Sequence, residues 1–354
     1  MRQIARRMAV LALAAALLPG CTLWNGSVQK KPLQKPNVNN VANTTGRLMV
    51  LGFYDDRQEP KRGQILQTVQ RNKDVISELA PFWYRIRSDG SIIDVSENDV
   101  RDFARKNGIR LLPLVTNDNG NDAFLNNPAA RDRAMARLFE ILDKNKDVYD
   151  GFSLDFQLLS PTTRPALTAF VSRFYTEIRK RNKRLNIDVI PAGQPDDKSS
   201  PYDYAKLAQN VDQIVLMTYD NHSDASQPGP IAPLDWVRQR VQAAIASGVK
   251  PGQLVLGVAA YGYDWVSGTT KAETVRMKDA QARVDGKVQR AADLSPHFSY
   301  TDSQGRTHIV WYEDEVSVAK KVKLARDMRL KGIAIWRLGY ENQKYWDAIK
   351  ANIR

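Results

Sequence analysis

Cysteine and histidine are scarce. The 354 residues hold one cysteine, Cys21, and three histidines, His222, His297 and His308. A single cysteine excludes an internal disulfide, so the fold must rest on its packed core. No two of the histidines have the spacing of a metal-binding pair, and no metal site is expected. The sequence also lacks a Gly-rich phosphate loop and a Gly-x-Ser-x-Gly elbow, and no cofactor is expected. Lysine and arginine outnumber aspartate and glutamate by 52 to 39, a formal charge of +13. These cations form no dense block with interleaved aromatics, so nucleic acid is not the expected partner.

What is present begins with a targeting segment. Arg2, Arg6 and Arg7 form a basic start, and Met8 to Leu18 is an unbroken apolar run. The run is too short to span a bilayer and suits a signal peptide over residues 1–20. It ends in Leu18-Pro19-Gly20-Cys21, which resembles the lipobox of bacterial lipoproteins. That resemblance implies lipidation at Cys21 and an exported protein anchored in the cell membrane or outer membrane. Residues 21–46 are rich in Asn, Lys, Gln and Pro and have no apolar period, as in a flexible tether. Without the leader's three arginines the charge is about +10. On an exported chain this suits anionic envelope polymers and lipid head groups.

Residues 47–354 are enough for one large barrel domain. Strand-like runs alternate with helical ones. Strands are expected at 48–54, within 74–86, and at 110–116, 150–157, 185–192, 212–219, 254–261 and 333–338. Helices are expected at 98–106, 131–144, 164–181, 236–247 and 317–330. Strict alternation implies a parallel sheet, and eight rounds imply a closed barrel. The predicted class is α/β, a TIM (β/α)8 barrel. Residues 266–312 fit no barrel unit and read as a small α+β insertion between strands seven and eight.

The central stretch is Asp150-Gly151-Phe152-Ser153-Leu154-Asp155-Phe156-Gln157. Strand alternation puts Phe152, Leu154, Phe156 and Leu158 on one face, and Ser153, Asp155 and Gln157 on the other. A polar row in a sheet covered on both sides is costly unless it is used. This stretch resembles the Asp-Gly-x-Asp-x-Asp-x-Glu motif of glycoside hydrolase family 18, the chitinase family. Asp150, Gly151 and Asp155 match it. Ser153 and Gln157 replace an aspartate and the acid glutamate. Further strings resemble the family in order: Met217-Thr218-Tyr219-Asp220, the run from Leu256 to Trp265, Trp311-Tyr312-Glu313-Asp314 with Ser317, and Gly332 to Gly339. Tyr219-Asp220-Asn221-His222 resembles the bacterial envelope and spore-associated subgroup.

The resemblance implies substrate-assisted chemistry on N-acetylated glycans, peptidoglycan or chitin-like. A glutamate protonates the leaving oxygen, and the sugar's own acetamide attacks the anomeric carbon. Carried over, Asp155 orients the acetamide, Tyr219 hydrogen-bonds its carbonyl and Trp336 floors the subsite. Asp150, Asp220, Tyr54 and Tyr261 join as substrate-binding residues. Gln157 occupies the acid position, and an amide cannot act as a general acid. Asp55, Asp264 and Glu341 are the carboxylates that could replace it near the mouth; the sequence brings none of them to the scissile oxygen. The expectation is a glycan-binding barrel with impaired catalysis. The alternatives are an active glycosidase with a relocated acid, and a structural or partner-docking lipoprotein.

Overall fold

A computed structural model describes residues 46–57 and 63–354. The signal peptide, Cys21 and nearly all of the tether lie outside them.

Eight parallel strands close into a barrel. They are β1 (Met49–Tyr54), β2 (Glu78–Ile86), β3 (Leu114–Asn117), β4 (Gly151–Asp155), β5 (Arg184–Val189), β6 (Gln213–Leu216), β7 (Leu254–Ala259) and β8 (Gly332–Trp336). Closure comes from β1, which pairs with both β8 and β2. The α/β barrel predicted from the alternation is the observed fold.

The strands read as apolar because both of their faces are covered. In β1, Met49, Leu51 and Phe53 face the barrel axis, where they meet Ala80, Leu114, Val215, Val255 and Ala334. Val50 and Tyr54 face the surrounding helices and join the larger core. Glu78 fills the bottom of the barrel, bonded to Arg110 and Arg184 at 2.9 Å each. The opposite end, at the strand C-termini, is left open.

Local signals set the helix positions. In the helix Pro128–Lys144, Asn127 caps the amides of Ala129 and Ala130, and proline takes the first helical position. Its buried residues include Ala134, Leu138, Ile141 and Leu142, the stripe expected from helical spacing. The helix Glu315–Asp327 starts on a capping box between Asp314 and Ser317. Helices Gln64–Arg71 and Gln343–Asn352 were not expected. The first is short and polar, with only Ile65 and Val69 buried.

Two boundaries differ from expectation. The seventh strand stops at Ala259, and Tyr261–Val266 already belongs to a separate antiparallel sheet. That sheet also takes in Ala272–Arg276, Gln289–Arg290, Pro296–Thr301 and Thr307–Tyr312, with a short helix at Met277–Ala282. Leu158 does not extend the apolar face of β4. The chain leaves the strand after Asp155, and Leu158, at φ 55°, is 78 % exposed.

Candidate functional site

A cavity of about 440 Å³ opens at the C-terminal mouth of the barrel, where barrel folds place their sites. One wall is the end of β4. Phe152 and Leu154 anchor that strand in the outer core, which turns Ser153 and Asp155 inward. Beyond the strand the chain is clamped. The Tyr202 hydroxyl donates to the Phe156 carbonyl at 2.7 Å. The Asn117 side chain donates to the Gln157 carbonyl at 2.8 Å and accepts the Gln157 amide at 2.9 Å. Gln157 is therefore held by its backbone, and its side chain reaches into the cavity.

That side chain has a defined partner. Its Nε2 donates to both carboxylate oxygens of Asp155, at 2.7 and 2.9 Å, and lies 3.7 Å from the Met217 sulfur. Asp155 is 4 % exposed. Burial pushes its carboxyl up to about 6, and the Gln157 amide pulls the other way. Behind it, Asp188 of β5 is held well above the carboxylate range by burial and by the charge of Asp155. The Ser153 hydroxyl donates to Asp188 at 3.1 Å.

The next wall follows β6. Tyr219 is buried, with its ring edge-on to Tyr261 at 6.1 Å, and lines the cavity. Gly257 makes its position possible: a Cβ there would lie 2.6 Å from the Leu216 carbonyl and 3.1 Å from the Tyr219 ring. Asp220 follows at φ 61°, and its carboxylate accepts the hydroxyls of Tyr261 and Tyr263. Trp336 ends β8 and meets Phe53 edge-on, with ring centroids 5.4 Å apart. Trp336 lines the cavity, and an indole offers the apolar surface on which a ring-shaped ligand can stack.

Asp155, Gln157, Tyr219, Asp220 and Trp336 thus line one cavity. Three other residues expected there do not. Asp150 lies at the start of β4, about 16 Å of strand from its end. Its carboxylate accepts the Leu111 amide at 2.9 Å and ties β4 to its neighbour. Tyr54 points outward by strand alternation and bonds Asp56 at 2.9 Å; Phe53 takes the inward place. Tyr261 stands behind the wall, where it holds Asp220.

Several lining residues escaped the sequence reading, two of them on one helix. Trp236 and Arg240 lie on the helix Leu234–Ala246, with the guanidinium 5.3 Å above the indole. Arg240 also donates to the carbonyls of Ala192 and Gly193, at 3.3 and 2.7 Å. A tryptophan and an arginine one helical turn apart, at the helix start, are the signal that could have found them.

The other carboxylates weighed as acids are occupied away from the cavity. Asp55 pairs with Arg57 at 2.7 Å, which holds it below its usual value despite burial. Asp264 accepts from Arg283 at 2.5 Å and Tyr300 at 2.8 Å, with His308 at 2.7 Å. Glu341 accepts the Trp346 indole at 3.0 Å. None of the three lines the cavity. Among the described residues no cluster of histidine, cysteine, aspartate or glutamate could hold a metal ion.

A barrel of this topology with a carboxylate, tyrosine and tryptophan at its mouth defines a glycosidase-like protein. The profile of glycosyl hydrolases family 18 matches residues 52–341, and the chain belongs to that family. It is 28 % identical over 297 residues to the uncharacterized glycosylase YvbX of Bacillus subtilis, covering 78 % of this chain and 84 % of that one. It is 25 % identical over 314 residues to the cortical fragment-lytic enzyme of Bacillus subtilis, covering 81 % and 71 %. Among solved structures, a chitinase from Chromobacterium violaceum superimposes with a TM-score of 0.77 at 25 % identity, covering 86 % of this chain and 98 % of that one.

Proposed function

We propose that the mouth of the barrel binds an N-acetylated glycan, peptidoglycan or chitin-like, and turns it over slowly or not at all. The observation that carries this reading is the Gln157 amide on both oxygens of Asp155. In the family's chemistry a proton must reach the leaving oxygen from that side of the cavity. An amide has none to give near neutral pH, and both contacts use it as a donor to Asp155. Loss of a general acid typically lowers rate by about 10²–10⁴-fold. Binding needs no acid. In this reading Asp155 and Tyr219 hold the acetamide and Trp336 stacks on a pyranose face, as the resemblance to the family implies.

The names of the relatives, glycosylase and lytic enzyme among them, favour the alternative of an active hydrolase. That reading needs an acid near the scissile oxygen. The other cavity-lining carboxylate, Asp220, is held by two tyrosine hydroxyls on the side of the sixth strand. We favour binding over turnover for this reason. The test pairs calorimetry with product release on N-acetylglucosamine oligomers. Binding without product supports the proposal, rapid cleavage contradicts it, and neither signal favours a structural or partner-docking lipoprotein.

The proposal includes the anchor. A lipidated Cys21 and the tether that follows would hold the barrel near the membrane, within reach of envelope glycans. Two acyl chains suffice for stable attachment.

A further inference from the structure

We propose that Asp188 supplies, from the neighbouring strand, the carboxylate that this chain lacks at Ser153, and that it shares one proton with Asp155 at the base of the cavity. Register makes them neighbours. Ser153 pairs with Asn186 and Leu154 with Ile187, so the next step along β4 and β5 sets Asp155 beside Asp188. Adjacent strands lie about 4.8 Å apart, and both side chains point to the axis. Ser153 is then more than a lost acid. Its short side chain leaves room on the axis, and its hydroxyl donates to Asp188 Oδ1 at 3.1 Å. Asp188 Oδ2 is buried with no hydrogen-bond partner among the described residues.

Among the described residues no cation compensates the pair. The groups facing the pair are Ser153 from β4, Gln157 beyond it, Tyr219 after β6, and Tyr202 from the loop after β5. None is basic. Two buried carboxylates without a cation cannot both ionise at ordinary cost. The hydrogen bonds decide which one does. Asp155 accepts from Gln157 with both oxygens and is the anionic member; Asp188 keeps the proton. A neutral Asp188 leaves Asp155 free to accept an acetamide N–H. Asp188 is a positioning residue in this scheme. Its role toward substrate rests on the glycan-binding proposal, whereas the pairing is a property of the free protein.

The test is a carbon-13 NMR titration of carboxyl-labelled aspartate in the full chain. In the wild type one aspartate carboxyl, assigned to Asp188 by its loss in Asp188→Asn, should remain protonated at pH 7. In Asp155→Asn the Asp188 titration should fall by about one unit or more, because the neighbouring charge is gone. The exchange Ser153→Asp with Asp188→Ser should move the protonated carboxyl to position 153, and it gives the same reading if Asp155→Asn does not fold. The exchange should also keep affinity for an N-acetylglucosamine oligomer within about threefold, while Asp188→Ala loses about tenfold. An Asp188 ionised at pH 7, or one whose titration ignores Asp155→Asn, overturns the pairing whatever the glycan data show. The expected titrations with no glycan bound by wild type would leave the pair standing and remove the glycan proposal.

Discussion

Asp155→Asn should make the protein more stable at neutral pH and slightly less stable in acid. Asp155 is 4 % exposed, and its carboxyl is raised from 3.8 to about 6. The fold therefore holds a proton that the unfolded chain releases between those values. Stability is lost as pH rises from about 4 through 6, and the loss is complete above that window. Two pK units correspond to about 3 kcal/mol. Asparagine carries no charge and escapes this cost. It keeps one oxygen for Gln157 but loses the second contact, worth about 1 kcal/mol. A net gain of about 2 kcal/mol at pH 7 remains, and at pH 4, where the charge cost is mostly absent, the lost contact leaves the variant about 1 kcal/mol less stable. Urea unfolding of both proteins from pH 4 to pH 8 measures it. A stability difference that does not vary with pH, or one that shrinks as pH rises, would refute the reasoning. The same variant should bind glycan more weakly, since the proposed function assigns the acetamide to the carboxylate that carries this stability cost.

Trp336→Ala should weaken oligosaccharide binding by about 1–3 kcal/mol, a range taken from stacking on aromatic platforms and read by calorimetry. Trp236→Ala should weaken it less, by about 1 kcal/mol, because that indole already carries the Arg240 guanidinium on one face. Gln157→Glu is nearly isosteric and should yield detectable product from an N-acetylglucosamine oligomer, with Ser153→Asp improving it; no product from either variant would show that the cleft lacks more than an acid. Cys21→Ser should release the protein from membranes, and mass spectrometry of the wild type without a lipid adduct on Cys21 would end the anchor proposal.

The barrel was legible because its strands alternate with helices, and because β1 and its neighbours are apolar on both faces. Half of the site was legible for a different reason. Asp155, Gln157, Tyr219, Asp220 and Trp336 stand at or just past strand C-termini, where motif order maps onto space. Asp150 shares their motif but not their place, since five strand residues separate its end of β4 from the mouth. Tyr54 failed by one position: at period two, the neighbouring Phe53 takes the inward side. Trp236 and Arg240 come from a helix start brought to the rim by tertiary packing, and no strand motif points to them. Asp188 was hidden because register between strands, not sequence spacing, sets it beside Asp155.

The central claim is that this cavity binds an N-acetylated glycan but cannot protonate its leaving group. The most direct measurement incubates the wild-type protein and Gln157→Leu with an N-acetylglucosamine oligomer, following heat of binding and released product together. The account predicts measurable binding by the wild type and negligible product from both proteins across pH 4–8. Wild-type cleavage that survives Gln157→Leu would place an acid elsewhere and contradict it.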